Sequence, residues 1–82
     1  MENIFGEMVN MIGEFKDDIP NGKGIKYYKN GNILYDGDFI SGKFEGNGKF
    51  IWEDGDYYIG QFKNDLQNGK GIEYYKKWKY YV

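Results

Sequence analysis

LYDGDFISGKFEGNGKFIWEDGDYY, residues 34–58, is the stretch that decides the fold, because most of the chain is that segment written again. In it Tyr35, Gly37 and Phe39 alternate with Asp36 and Asp38, two glycines follow at Gly46 and Gly48, and Asp54-Gly55 closes the unit. Upstream, the same grammar runs through Met11, Gly13 and Phe15, then Gly22 and Gly24, then Asn30-Gly31. Downstream it runs through Tyr58, Gly60 and Phe62, then Gly69 and Gly71. Counted from Gly13, Gly37 and Gly60, the period is 24 and then 23 residues, and the next two glycines fall nine and eleven residues on in every copy. Offsets shared by three copies mark a tandem repeat.

Each unit reads as a hairpin. The first strand is Met11 to Lys16, Tyr35 to Ile40 or Tyr58 to Lys63; side chains alternate across a strand, so its aromatic and glycine positions share one face. Polar loops, DDIPN, SGKFE and NDLQN, are expected next, followed by second strands GKGIKYY, GNGKFIW and GKGIEYY. Glycine weakens a strand, but a glycine facing a ring on the neighbouring strand lets that ring lie flat over the backbone. Asn30-Gly31 and Asp54-Gly55 are turn dipeptides that deliver the chain to the next unit. The predicted architecture is all-β: a single-layer antiparallel meander of about six strands, built from three hairpin repeats.

The boundaries expected are 1–10 for an N-terminal cap or degenerate half-repeat, 11–33 and 34–57 for the first two repeats, and 58–82 for a third with a C-terminal cap. MENIFGEMVN admits two readings: Ile4, Phe5, Met8 and Val9 share a helical face, while Ile4 to Met8 also echoes Met11 to Phe15 as a strand. At the other end Trp78 stands where Gly31 and Gly55 stand earlier, within KKWKYYV. That tail reads as an edge cap or as a basic-aromatic membrane contact through Lys76, Lys77, Trp78 and Lys79.

Composition narrows the function. With 82 residues the chain makes one small domain with little interior. It is 21% aromatic with 13 glycines and no cysteine, so neither a disulfide framework nor a thiolate metal site is available. A reducing, cytoplasmic setting is the expectation, with membrane or cytoskeletal association as its refinement. No apolar run approaches the roughly 20 residues of a membrane-spanning helix. A formal net charge of −2, with every basic residue a lysine, builds no field that gathers nucleic acid. Histidine is absent and the one serine, Ser41, sits in a polar loop with no evident base, so an enzyme is not expected. The acids show no calcium-loop spacing, and Gly22-Lys23-Gly24 lacks the spacing of a phosphate loop. No catalytic residue, metal or cofactor is assigned.

The pattern Tyr-x-Gly-x-aromatic, then Gly-x-Gly, then a turn glycine, resembles the MORN repeat (membrane occupation and recognition nexus). It is carried by Tyr35, Gly37, Phe39, Gly46, Gly48, Phe50, Trp52 and Gly55, by Tyr58, Gly60, Phe62, Gly69, Gly71 and Tyr75, and by Gly13, Phe15, Gly22, Gly24, Tyr28 and Gly31. Met11 departs from the tyrosine, Lys26 and Glu73 from the aromatic at Phe50, and Trp78 from the glycine. The resemblance implies an elongated sheet with an aromatic groove, acting as a scaffold or interaction module, often dimeric and in some members linked to phosphoinositides.

The site expected from these residues is a protein-binding groove of Tyr35, Phe39, Phe50, Trp52, Tyr58 and Phe62, since aromatic side chains are typical interface anchors. Its partner would be a protein segment, including a second copy in a homodimer. The alternative is a peripheral membrane module using lysines and the Lys76–Lys79 tail. Acids outnumber the lysines and arginine is absent, which weakens the lipid alternative.

Overall fold

The computed structural model describes residues 3–76. Within them lie seven strands: β1 (Ile4–Met8), β2 (Met11–Lys16), β3 (Ile19–Tyr27), β4 (Ile33–Ile40), β5 (Lys43–Ile51), β6 (Tyr57–Lys63) and β7 (Leu66–Tyr74). They form one antiparallel sheet in sequence order. The envelope measures 51 × 30 × 13 Å, the thickness of a single layer with its side chains. Six strands belong to the three hairpins; the seventh is β1. Its residues take the strand reading, with Gly6 opposite Gly13 and Met8 opposite Met11.

A row of glycines crosses the whole sheet. Gly6, Gly13, Gly24, Gly37, Gly48, Gly60 and Gly71 stand directly opposite one another from strand to strand. The two glycines within each hairpin play different parts. A Cβ on Gly37 would come within 2.5 Å of the Gly48 Cα, so the first-strand glycine permits close backbone approach. A Cβ on Gly48 would come within 2.5 Å of the Tyr35 ring, so the second-strand glycine is the bed on which the ring rests. Tyr58 lies on Gly71 in the same way, and the Met11 methyl lies on Gly24.

The hairpin turns are tighter than the polar loops suggested. Asp17-Asp18, Ser41-Gly42 and Asn64-Asp65 each have positive φ at both residues, which is the geometry of two-residue hairpin turns that match the strand twist. The second strands therefore start at Ile19, Lys43 and Leu66, inside the segments DDIPN, SGKFE and NDLQN. One consequence is that Phe44 sits in a strand opposite Phe39 and enters the core. The Asn-Gly and Asp-Gly dipeptides serve the longer connections between hairpins. There the Gly31 N–H donates to the Tyr28 carbonyl (3.0 Å) and the Gly55 N–H to the Trp52 carbonyl (2.9 Å). Asn30 and Asp54 each accept, on a side-chain oxygen, the N–H two residues on.

Each hairpin also carries a bulge at one place. Between paired Gly37–Gly48 and Phe39–Phe44, the single residue Asp38 faces Glu45, Gly46 and Asn47. Glu14 and Gln61 hold the equivalent positions. In all three the side-chain oxygen accepts the N–H after the bulge glycine: Lys23 to Glu14 at 2.7 Å, Asn47 to Asp38 at 3.1 Å and Lys70 to Gln61 at 2.9 Å. Bulges bend a strand and raise its twist, so one repeated device coils the sheet. Substantial contacts run only between consecutive strands.

Candidate functional site

The aromatic face is built from the glycine row outward. Tyr35 is fully buried (0% exposed), and it is covered by Phe44, whose ring stacks on it at 3.8 Å between centroids with an 8° tilt. Phe39 and Phe62 meet it edge-on at 5.1 and 5.2 Å. Such pairs add about 0.5–1.5 kcal/mol beyond the area they bury. The Tyr35 hydroxyl donates to the Asp38 carbonyl at 2.8 Å. Burial, and then the Asp38 carboxylate, push this phenol well above its ordinary pKa. The Tyr58 hydroxyl is shared between the Gln61 and Lys70 carbonyls, at 3.1 and 3.3 Å.

Of the six groove residues expected, Tyr35, Phe39, Tyr58 and Phe62 are buried and form the core with Met11, Phe15 and Phe44. Phe50 and Trp52 are half-buried, pack against that core, and meet edge-on at 5.2 Å. Trp52 also lines a cleft of about 490 Å³ between the two inter-hairpin loops, together with Tyr28, Asn32, Ile33, Ile51 and Lys76. The Tyr28 hydroxyl closes one wall by donating to the Ile51 carbonyl at 2.5 Å. Burial, followed by the charges of Glu53 and Asp54, raises the Tyr28 pKa. Lys76 is tied to the same loop, its N–H donating to Asp56 Oδ1 at 3.1 Å. The structure thus brings Lys76, expected in the basic tail, to the cleft that Trp52 lines. Lys77, Trp78 and Lys79 lie outside the described residues.

A second depression of about 330 Å³ opens on the aromatic face beside the first repeat, lined by Met8, Met11, Pro20, Lys26, Phe39 and Gly42. Sequence reasoning assigns Met11 and Pro20 to no site and Lys26 only to the lysines of the membrane alternative. Their signal is the glycine register, which puts Lys26 opposite both Met11 and Tyr35.

Several lysines are already engaged. Lys23 pairs with Asp38 at 2.5 Å. Its hydrogen bond to that carboxylate, and the carboxylate's charge, raise the Lys23 pKa. Partial burial pushes the Asp38 carboxyl up, but the bonds from Lys23 and the Asn47 N–H outweigh it and hold the group below its ordinary range. Lys26 stands 5.9 Å above the Phe44 ring and Lys49 stands 4.5 Å above Tyr57, both within cation–π range. Among the described residues no cluster of three or more histidines, cysteines or carboxylates is placed to hold a metal, and no helix is long and apolar enough to cross a membrane. What the face offers is ring area, loop amides and single charges, the means of contact.

Among curated proteins no relative matches the chain. The family model described as MORN repeat matches residues 12–33, 35–57 and 58–80, in phase with the three hairpins. Those segments take in most of the sequence, and with the glycine row and the ring beds that they encode, they show that the chain belongs to the MORN-repeat family.

Proposed function

We propose that this chain is a non-catalytic scaffold module that holds a protein segment against its aromatic face, with Phe50 and Trp52 as anchors above a floor of Tyr35, Phe39, Tyr58 and Phe62. MORN repeats form a non-catalytic repeat module that commonly mediates protein or membrane interaction. The observation that carries the protein reading is Trp52: it packs on the core, stays half-exposed, and lines the adjoining cleft. Partly open aromatic groups fixed from behind are what interfaces use as anchors, because little side-chain entropy remains to be lost. A second copy of the chain is one source of the segment.

The lysines support the same choice. Lys23, Lys26 and Lys49 are occupied by Asp38, Phe44 and Tyr57, which leaves fewer of them for lipid phosphate. Selection of a displayed peptide library on the full chain tests the reading. Enriched peptides should lose binding to Trp52→Ala and Phe50→Ala and keep it with Asp36→Ala, whose side chain is exposed on the opposite face. Peptides that bind the Trp52→Ala chain undiminished would remove the site. Flotation with anionic vesicles at physiological salt, retained in the Trp52→Ala chain, would move the function to the membrane.

A further inference from the structure

Among the described residues the glycine row contains one bed that no side chain from an outer neighbouring strand covers. In each hairpin the second-strand glycine is covered from the preceding strand: Gly24 by Met11, Gly48 by Tyr35 and Gly71 by Tyr58. β1 occupies the place of a second strand, because Gly6 faces Gly13 and Met8 faces Met11 just as Gly48 faces Gly60 and Phe50 faces Tyr58. Its covering ring would have to arrive from the outer side. Among the described residues no strand lies there. Among the described residues, the atoms that a Cβ on Gly6 would approach belong to Phe15, at 3.6 and 3.9 Å, which is ordinary contact.

Around Gly6 lies a depression of about 460 Å³ lined by Ile4, Met8, Phe15 and the carboxylates Glu7, Asp17 and Asp18. Ile4, Phe5 and Met8 are 68%, 70% and 52% exposed. An uncovered edge of this kind presents unpaired backbone donors and acceptors to any extended segment. The three hairpins show what fits. A covering strand runs antiparallel, sets its leading side chain beside the residue two after the bed glycine, and lays its tip back over that glycine, as Tyr35 does from opposite Phe50. A segment pairing in regular register along β1, as β2 does on the other edge, sets each of its side chains beside one residue of β1.

We propose that the outer edge of β1 docks an extended segment of a partner protein with the pattern aromatic-x-Gly-x-aromatic followed by a basic residue. The leading ring stands beside Met8 and rests on Gly6, the glycine passes opposite Gly6, and the second ring stands beside Ile4. The carboxylates of Asp17 and Asp18, in the turn just after the Phe15 that pairs with Ile4, select the basic end. A second copy is a poor donor: Tyr35 to Ile40 and Tyr58 to Lys63 carry the aromatic-x-Gly-x-aromatic pattern, but both are interior strands paired on both sides. This site lies at the β1 edge of the sheet, whereas Trp52 follows β5.

The probe is a labelled synthetic peptide with the sequence of residues 58–63, YIGQFK, added to the full chain, with binding read by anisotropy and located by amide chemical shifts. Saturable binding with shifts on β1 is expected. It should fall about tenfold or more with Gly6→Val, and equally when valine replaces the peptide glycine. Valine at position 6 meets no backbone and suits a strand, so the variant should unfold at no lower temperature than the parent. The pair Asp17→Asn with Asp18→Asn keeps the turn, since asparagine tolerates positive φ, and should weaken binding several-fold at low salt. No saturable binding at millimolar peptide, binding untouched by Gly6→Val, or shifts confined to β7 or the Trp52 cleft would each overturn the proposal. Loss of binding with Trp52→Ala but not with Gly6→Val would do the same while leaving the aromatic-face reading in place.

Discussion

The Tyr35 ring lies flat on Gly48, so close that a Cβ at position 48 would stand 2.5 Å from the ring carbon bearing the hydroxyl. A sheet one layer thick has no second layer to pack against, and it obtains a dry interior by resting its rings on its own backbone. The bed works only if the residue beneath has no side chain.

Gly48→Ala is therefore expected to cost about 3 kcal/mol or more, because both the ring and the Phe44 stacked on it must move. Gly31→Ala, where an added Cβ meets nothing within 4 Å but φ is +93°, should cost only about 1 kcal/mol. Urea unfolding of the two variants gives the comparison. Equal losses would show that backbone conformation, and not the ring bed, sets the cost of replacing these glycines.

Alkaline stability should report on Tyr35. Its folded-state pKa is raised above the ordinary value of 10.0, by burial first and by the Asp38 charge second. The folded protein holds this proton more tightly than the unfolded chain does. The contribution is thus complete below about pH 10 and is lost as pH rises through the folded value, at up to about 1.4 kcal/mol per pH unit for one proton. Tyr35→Phe removes the bond to the Asp38 carbonyl, at a cost of about 1 kcal/mol at neutral pH. It should also flatten the decline of melting temperature above pH 10. An unchanged decline would assign the loss to other groups.

The Asp17-Asp18 turn has room for improvement. Both residues hold positive φ, at 53° and 66°, where an aspartate is tolerated and a glycine is at ease. Asp18→Gly should raise stability by about 0.5–1 kcal/mol, since the backbone strain relieved exceeds the entropy restored to the unfolded chain. Thermal melts of the single variant decide the sign, and a lower melting temperature would mean that the Asp18 carboxylate makes a contact worth more than the strain.

These same turns show which features are legible in the sequence and which are not. The hairpins, their phase and the ring-over-glycine contacts follow from three offsets among glycines, because a tight backbone approach excludes every other residue type. SGKFE looks polar and so predicts a loop around Phe44; the two-residue turn at Ser41-Gly42 pulls that ring into β5 instead. Positive φ is a property of the backbone, and Asp-Asp and Asn-Asp announce it less plainly than Asn-Gly. Alternation tells which face a ring is on but not how far it is covered. Phe44 stacks on Tyr35 and also meets Phe50 edge-on, yet Tyr35 is buried and Phe50 half-buried. The N-terminal segment fits two periodicities, and only the pairing of Gly6 with Gly13 selects the strand.

Because substantial contacts run only between consecutive strands, with a few side chains such as Tyr35 and Phe62 reaching across one strand, the described residues have no keystone. Order can melt inward from a terminus while the middle repeat, with the fullest ring cluster, stays closed. Length in such a ribbon is set by arithmetic: each added hairpin extends it by two strand spacings, about 9.6 Å, without disturbing those already in place.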